Sequence, residues 1–418
     1  MGRVWRWFWQ RLDLWLVLLL LLVLLQAEGP PPGALSTRLD RFTADLRFNF
    51  WSWEAEALAG KLAHWLVQPQ RYMSEADRTA FVRDYAAQIE QIGSLQGQIE
   101  AIYADPAVAD AETETASLRQ ALEELRARMA WQQPVFEAII EEQVSVALAD
   151  EGLGILGQPF PPVGARFTPL PYALIVSPRE RIETIYSQHL QHGLDAAQQT
   201  AIESRIDETF DVSSYVTAIG GLSAWPAMML EHSYLPWVME VAAHEWTHHY
   251  LYLHPLGWRY DRSQEARTIN ETTASIVGKE IGRAVVARYY PDLLPPEETA
   301  TPQQPQEPPA FDFRHEMHLT RVEVERLLAE GRIEEAEAYM EVRRIFFWEH
   351  GYRLRKLNQA YFAFHGSYAD EPGAAGEDPV GPAVQRLRAQ SASLRAFLTR
   401  IDAITSLAEL EAMLAEAP

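Results

Sequence analysis

Residues 238–255 read VMEVAAHEWTHHYLYLHP. A segment this apolar has to be buried. As a helix it carries His244 and His248 on one face, because side chains four apart stand one above the other. Glu245 falls on the neighbouring edge of the same helix. An unpaired His-Glu-His face is costly to bury, so the fold must bring a partner to it. That demand constrains the architecture more than any other feature of the chain. A metal ion meets it: imidazoles at i and i+4 reach one ion, and the intervening glutamate reaches a water beside it. Catalytic zinc takes three protein ligands and keeps one position open. It lowers the pKa of a water there to about 7, and a glutamate can take that proton.

The chain has no cysteine, so the third ligand must be His, Asp or Glu. The next helix reads SQEARTINETTASIVGKEIG and offers Glu265 and Glu271. Glu265 falls at the helix N-terminus, where a carboxylate commonly just answers the helix dipole. Glu271 lies in the helix body among Ile269, Ala274 and Ile276, and is the favoured ligand. Ser275, one turn on, is placed to hydrogen-bond a ligand histidine, and Asn270 is a second candidate for that role. His249 is rotated off the ligand face. His254 sits at the helix end, where a cation suits the dipole. The pair His315 and His318 in RHEMH reads as an exposed helix start, with a second metal site as the sharper alternative.

His244–His248 followed by Asn270-Glu271-x-x-Ala274 resembles the gluzincin metallopeptidases, which place a glutamate ligand on the helix after HExxH. The resemblance covers about residues 213–290. It implies one zinc per chain held by His244, His248 and Glu271, with Glu245 as general base and a zincin-like core. The gap to the glutamate is longer than is usual in the aminopeptidase branch. Thermolysin-like enzymes usually carry Asp where this chain has Ser275. Further on, RKLNQAYFAFHGSYAD is similar to a segment of bacterial predicted aminopeptidases. It supplies Tyr368 as the candidate donor to a developing oxyanion, with Tyr361 and His365 as rivals. In this class an extended peptide pairs with an edge strand before the HExxH helix. TAIGGLSAWPAMM occupies that place, and Gly220 and Gly221 would permit close backbone approach.

The chain is 418 residues long, 48% hydrophobic, with a formal net charge of −22. A sizeable core is expected, and nucleic acid is excluded as a partner because phosphates demand a positive footprint. The N-terminus carries Arg3, Arg6 and Arg11 ahead of LWLVLLLLLVLL at residues 14–25. Twelve residues make a helix of about 18 Å, short of a bilayer core of about 30 Å. Trp5, Trp7, Phe8 and Trp9 upstream would lengthen it as an interfacial belt. The layout fits an uncleaved single-pass anchor, a cleaved signal peptide or a buried helix. The first two put most of the chain outside the cytoplasm, membrane-bound or secreted.

The expected organisation is an N-terminal segment (1–28), a Pro-rich spacer (29–37) and a helical region with a hairpin (38–151). A metal-binding core (152–290), a Pro-rich linker or loop (291–312) and a C-terminal helical region (313–418) follow. The hairpin rests on two helical-spacing runs, Ile89, Ile92, Ile99, Ile102 and Leu118, Leu122, Leu125, Met129. Residues 172–176 read as a strand, 180–190 and 195–209 as helices, and 213–230 as one strand with a bulge at Gly220-Gly221. Helices are expected at 238–252, 263–290, 313–330 and 333–365. The fold class is α+β, predominantly helical, with a small sheet. The expected activity is peptide hydrolysis, aminopeptidase or endopeptidase. Two rivals stand beside it: a non-catalytic, zinc-stabilised scaffold, and a zinc hydrolase acting on a non-peptide bond.

Overall fold

The computed structural model describes residues 16–17, 31, 33–104, 108, 110–294, 311–366 and 379–415. The chain divides into two compact units, Met1–Arg47 and Phe48–Pro418. In the first, helix α1 (Leu35–Phe42) is followed by a single 3-10 turn, Ala44–Leu46. Thr43 donates its hydroxyl to the Leu39 carbonyl at 2.9 Å, and Arg47 pairs with Asp40. Apart from residues 16–17, the apolar run at 14–25 lies outside the described residues. Among the described residues no helix is long and apolar enough to cross a membrane.

The second unit is α+β and mostly helical. It begins with α2 (Phe50–Val67), α3 (Glu75–Ala104) and α4 (Ala116–Asp150). The expected hairpin is α3 against α4. Leu122, Leu125 and Met129 are buried, and Ile89 and Ile92 pack against the same core. Tyr85 stacks on Phe136 with ring centroids 4.1 Å apart, which fixes where the two helices cross.

Among the described residues the strands form two three-stranded sheets. One has β2 (Tyr172–Ser177) at its centre, antiparallel to β3 (Tyr186–Leu190) and to β4 (Ser213–Ala218). The other joins β1 (Ala165–Phe167), parallel, and β5 (Gly221–Leu222), antiparallel, to a central β6 (Ala227–Met229). Two expectations are corrected here. Residues 186–190 are strand, because pairing with β2, Tyr172 opposite Leu190, outweighs a local spacing that suits either state. Residues 213–229 are three strands in two sheets, and Gly220-Gly221 lies where the chain passes from one sheet to the other. Helix α5 (Ala196–Phe210) lies between β3 and β4, opened by a capping box of Asp195 and Gln198.

Helices α6 (Leu235–Leu251) and α7 (Gln264–Tyr289) run through the middle of the main core. Pro236 sits in the first turn of α6, where its missing N–H costs nothing. Ser263 caps α7 by accepting from the Ala266 N–H. The two helices approach closely because α7 presents Gly278 and Gly282 to α6. A Cβ at Gly278 would lie 2.9 Å from the Glu240 carbonyl oxygen and 3.1 Å from His244 Cβ, and one at Gly282 would lie 2.8 Å from the Glu240 nitrogen. No larger residue fits at that spacing.

The C-terminal part contains α8 (Phe313–Ala329), α9 (Ile333–Glu349), α10 (Gln359–His365), α11 (Val380–Ala389), α12 (Leu394–Ile401) and α13 (Leu407–Ala415). The single helix expected at 333–365 is two, interrupted after Glu349. Asn358 restarts the chain as N-cap of α10 and donates to the Ser214 carbonyl at 2.8 Å, so α10 is held on the β2–β4 sheet. Helices α11 to α13 instead complete the main core around α7.

Candidate metal centre

Helix α6 is buried on nearly every side, with Trp246 at its centre donating to the Pro161 carbonyl at 2.7 Å. This fixes its rotation and aims one face at α7. His244, His248 and Glu271 meet there, each offering one ligand atom, all within 4.8 Å of one another. His244 Nε2 lies 3.1 Å from His248 Nε2. Glu271 Oε2 lies 3.5 Å from the first and 3.6 Å from the second. Bonds of about 2.0 Å in a tetrahedron separate neighbouring ligand atoms by about 3.3 Å, so three corners of such a site are already in place.

The donor atoms are prepared for a cation. Asn270 Oδ1 accepts from His248 Nδ1–H at 2.7 Å, which turns Nε2 toward the other two ligands. Tyr260 donates its hydroxyl to Glu271 Oε1. Glu271 Oε2 is buried with no hydrogen-bond partner, an orphan that calls for a positive charge. The titration behaviour says the same. Burial pulls the His248 pKa down, but the Glu271 carboxylate outweighs it and carries the value up to about 9. Burial pushes Glu271 up, and the two histidines overcome that and hold it well below the usual carboxylate range. The centre demands positive charge, and nitrogen, nitrogen and carboxylate oxygen form a donor set that suits zinc.

Glu245 faces the same cleft. Its carboxylate rests on the main chain of β5, where a Cβ on Gly221 would lie 2.1 Å from Glu245 Oε1. Only glycine fits there. Burial raises the Glu245 pKa, opposed by the two histidines. The cleft has a volume of about 210 Å³ and is walled by α6, α7, β2, β3 and the β5 edge.

The structure therefore brings together His244, Glu245, His248, Asn270, Glu271 and Gly221. Gly220 is turned away, and a Cβ there would lie 3.2 Å from the Trp237 ring. Ser275 is buried one turn along α7 and is not among the cleft residues. Tyr368 lies outside the described residues. Its rivals Tyr361 and His365 pack with Tyr215 and are not among the cleft residues, while their neighbour Phe364 reaches the cleft. Glu265 accepts from the Leu407 N–H, away from the centre. His249 bonds the Ala224 carbonyl, and His254 bonds the Tyr250 carbonyl and pairs with Asp402. His315 and His318 join no metal-holding group among the described residues.

The sequence reading missed Tyr260, Tyr252, His189 and Arg267, all of which line the cleft. Arg267 lies over the Tyr260 ring at 4.6 Å and pairs with Asp261 at 2.8 Å, which braces the tyrosine that holds Glu271. Nothing local marks these residues. Gly278 and Gly282 did carry a signal, two small residues four apart on the helix holding the third ligand. Compared with models of known families, with curated proteins and with solved structures, the chain matches none.

Proposed function

We propose that this chain is a zinc-dependent metallopeptidase with a zincin-like core and a gluzincin-like ligand set. In this reading it is held at the cell membrane by its N-terminal segment, with most of the chain outside the cytoplasm. The observation that carries the reading is the convergence of His244 Nε2, His248 Nε2 and the unpartnered Glu271 Oε2 at 3.1–3.6 Å beside a buried Glu245. When bound there, zinc would supply Lewis acidity toward a carbonyl oxygen and acidify a water.

The chain's own residues do the rest. Glu245 is the proton carrier: burial lifts its pKa toward the range in which a carboxylate both takes a proton from water and returns it to a leaving amine. Gly221 keeps that carboxylate in one place by letting it lie on the backbone. Asn270 and Tyr260 orient His248 and Glu271. The main chain of β5 lines the cleft at the edge of its sheet and is the place for an extended peptide to pair. Tyr252 lines the cleft with its phenol kept protonated by burial. It joins Tyr368 as a candidate donor to negative charge developing on the substrate. A volume of about 210 Å³ is below the range of about 300–1,000 Å³ typical of drug-sized ligands, which favours a short substrate stretch and hence exopeptidase action.

The test is zinc content together with hydrolysis of a broad peptide library, on the full chain and on Glu245→Gln. The expected result is one zinc per chain in both, with hydrolysis about 10²–10⁴-fold slower in the variant. Zinc without hydrolysis in the parent would favour the scaffold or a non-peptide substrate. Absence of zinc from both would sink the reading.

A further inference from the structure

Helix α2 leaves much of its apolar surface in the open. Its inward side mixes Phe50, Trp53 and Ala57 with polar groups. Lys61 is paired with Glu137 at 2.8 Å and with Glu141 at 2.7 Å, both on α4, and His64 bonds Gln70 at 3.0 Å. Its outward face is mostly apolar. Trp51, Leu58, Leu62, Trp65, Leu66 and Val67 are all exposed, from 41% for Leu58 to 83% for Trp51. The other exposed residues of the helix are Ser52, Ala55, Glu56, Ala59 and Ala63, so Glu56 is the only charge on that face.

A helix in water is expected to cover such apolar residues. The apolar surface continues beyond α2. Leu58, Leu62 and Trp65 line one side of a groove of about 970 Å³ whose other walls include Gly157, Trp225 and the charged Arg71, Glu142 and Asp150. Next to Gly157, Ile155 and Leu156 are 62% and 99% exposed.

We infer that this face is a docking surface for a zwitterionic phospholipid bilayer, with α2 lying in the interface and the tip at 155–156 dipping beside it. Three observations choose lipid over another occupant. First, the apolar run ends at Leu25 and α2 begins at Phe50. The residues between reach at most about 86 Å even fully extended, so a membrane holding that run is within reach of the face. Second, the face pairs tryptophans with leucines and lacks charge from Leu58 to Val67, the composition of a segment at headgroup depth. A net charge of −22 disfavours an anionic surface, which leaves a neutral one. Third, a groove beside a protruding two-residue tip is not self-complementary, as a twofold contact with a second copy requires, whereas fluid lipid conforms to it. At 18 residues, α2 is not apolar enough to span. The inference is independent of the metal centre.

The absence of cysteine makes the test direct. Single-cysteine full-length variants Leu62→Cys and Leu66→Cys, with Val342→Cys on α9 as an exposed control, carry an environment-sensitive nitrobenzoxadiazole probe. Each is mixed with phosphatidylcholine vesicles, with and without spin-labelled acyl chains. The expected result is emission rising about threefold or more at 62 and 66, quenched by the spin-labelled lipid, with no change at 342. Unchanged emission at 62 and 66 would overturn the inference, including the case where the N-terminal segment alone holds the protein on the vesicle. So would a rise without vesicles that tracks protein concentration, which would make the face an interface between copies.

Discussion

Helices α2 and α6 both turn ionisable side chains inward, with opposite results. On α2 the inward lysine meets two glutamates, and one of them, Glu141, also accepts from the Ala165 N–H at 2.8 Å. Lys61, Glu137 and Glu141 answer one another, although Glu54 two turns back keeps a buried Oε2 without a partner, and the network fastens α2 and β1 to α4. On α6 the inward histidines meet a carboxylate whose second oxygen has no partner. Buried charge that is satisfied holds a fold together. Buried charge one cation short marks a place for a ligand. The outward faces differ as well: α6 is enclosed, while α2 leaves much of its apolar surface uncovered.

The sharpest way to break that comparison is to remove the lysine. Lys61→Ala takes the lysine from Glu137 and Glu141, leaving Arg166 at 3.5 Å as the cation beside Glu137, and should cost about 3–5 kcal/mol in urea unfolding. It should leave zinc content unchanged, since nothing in the centre touches the network. A loss below about 1 kcal/mol would show that the network is not what fastens α2.

A buried histidine without an acid partner sharpens the contrast. His365 lies among the rings of Tyr215, Tyr361 and Phe364, and burial takes its pKa down to about 4. His248, beside Glu271, goes up to about 9. The unfolded chain protonates His365 near pH 6.5 while the folded one resists to about 4. Its contribution is therefore intact above about pH 6.5 and is lost as pH falls toward 4, by up to about 3 kcal/mol. Unfolding curves across that window should be flatter for His365→Leu than for the parent.

The smallest expected effects concern the residues that orient the ligands. Asn270→Ala and Tyr260→Phe should each weaken zinc binding about 10–100-fold by chelator competition, with the fold retained. Unchanged affinity in both would mean that packing alone orients His248 and Glu271.

Local periodicity made part of this legible. The pair His244 and His248 is a statement about one helix turn, and Glu271 was separable from Glu265 by position within its own helix. The starts of α5 and α7 and the strand expected at 172–176 were equally local. What failed was decided by pairing at a distance. Residues 186–190 have side chains that suit either state, and β2 chose strand. The break between α9 and α10 follows from Asn358 reaching Ser214, far away in sequence.

By itself, then, the sequence determined which helix carries the histidines, that no thiolate shares the centre, and that the chain is mostly helical around a little strand. The tertiary structure alone decided that Glu245 lies on Gly221, that Asn270 and Tyr260 are the residues holding the ligands, and that α2 leaves much of its apolar surface uncovered. The reason is physical. Helical periodicity is written in each residue's near neighbours, whereas an orphaned oxygen or an uncovered face exists only once separate elements have packed and some groups are left without partners.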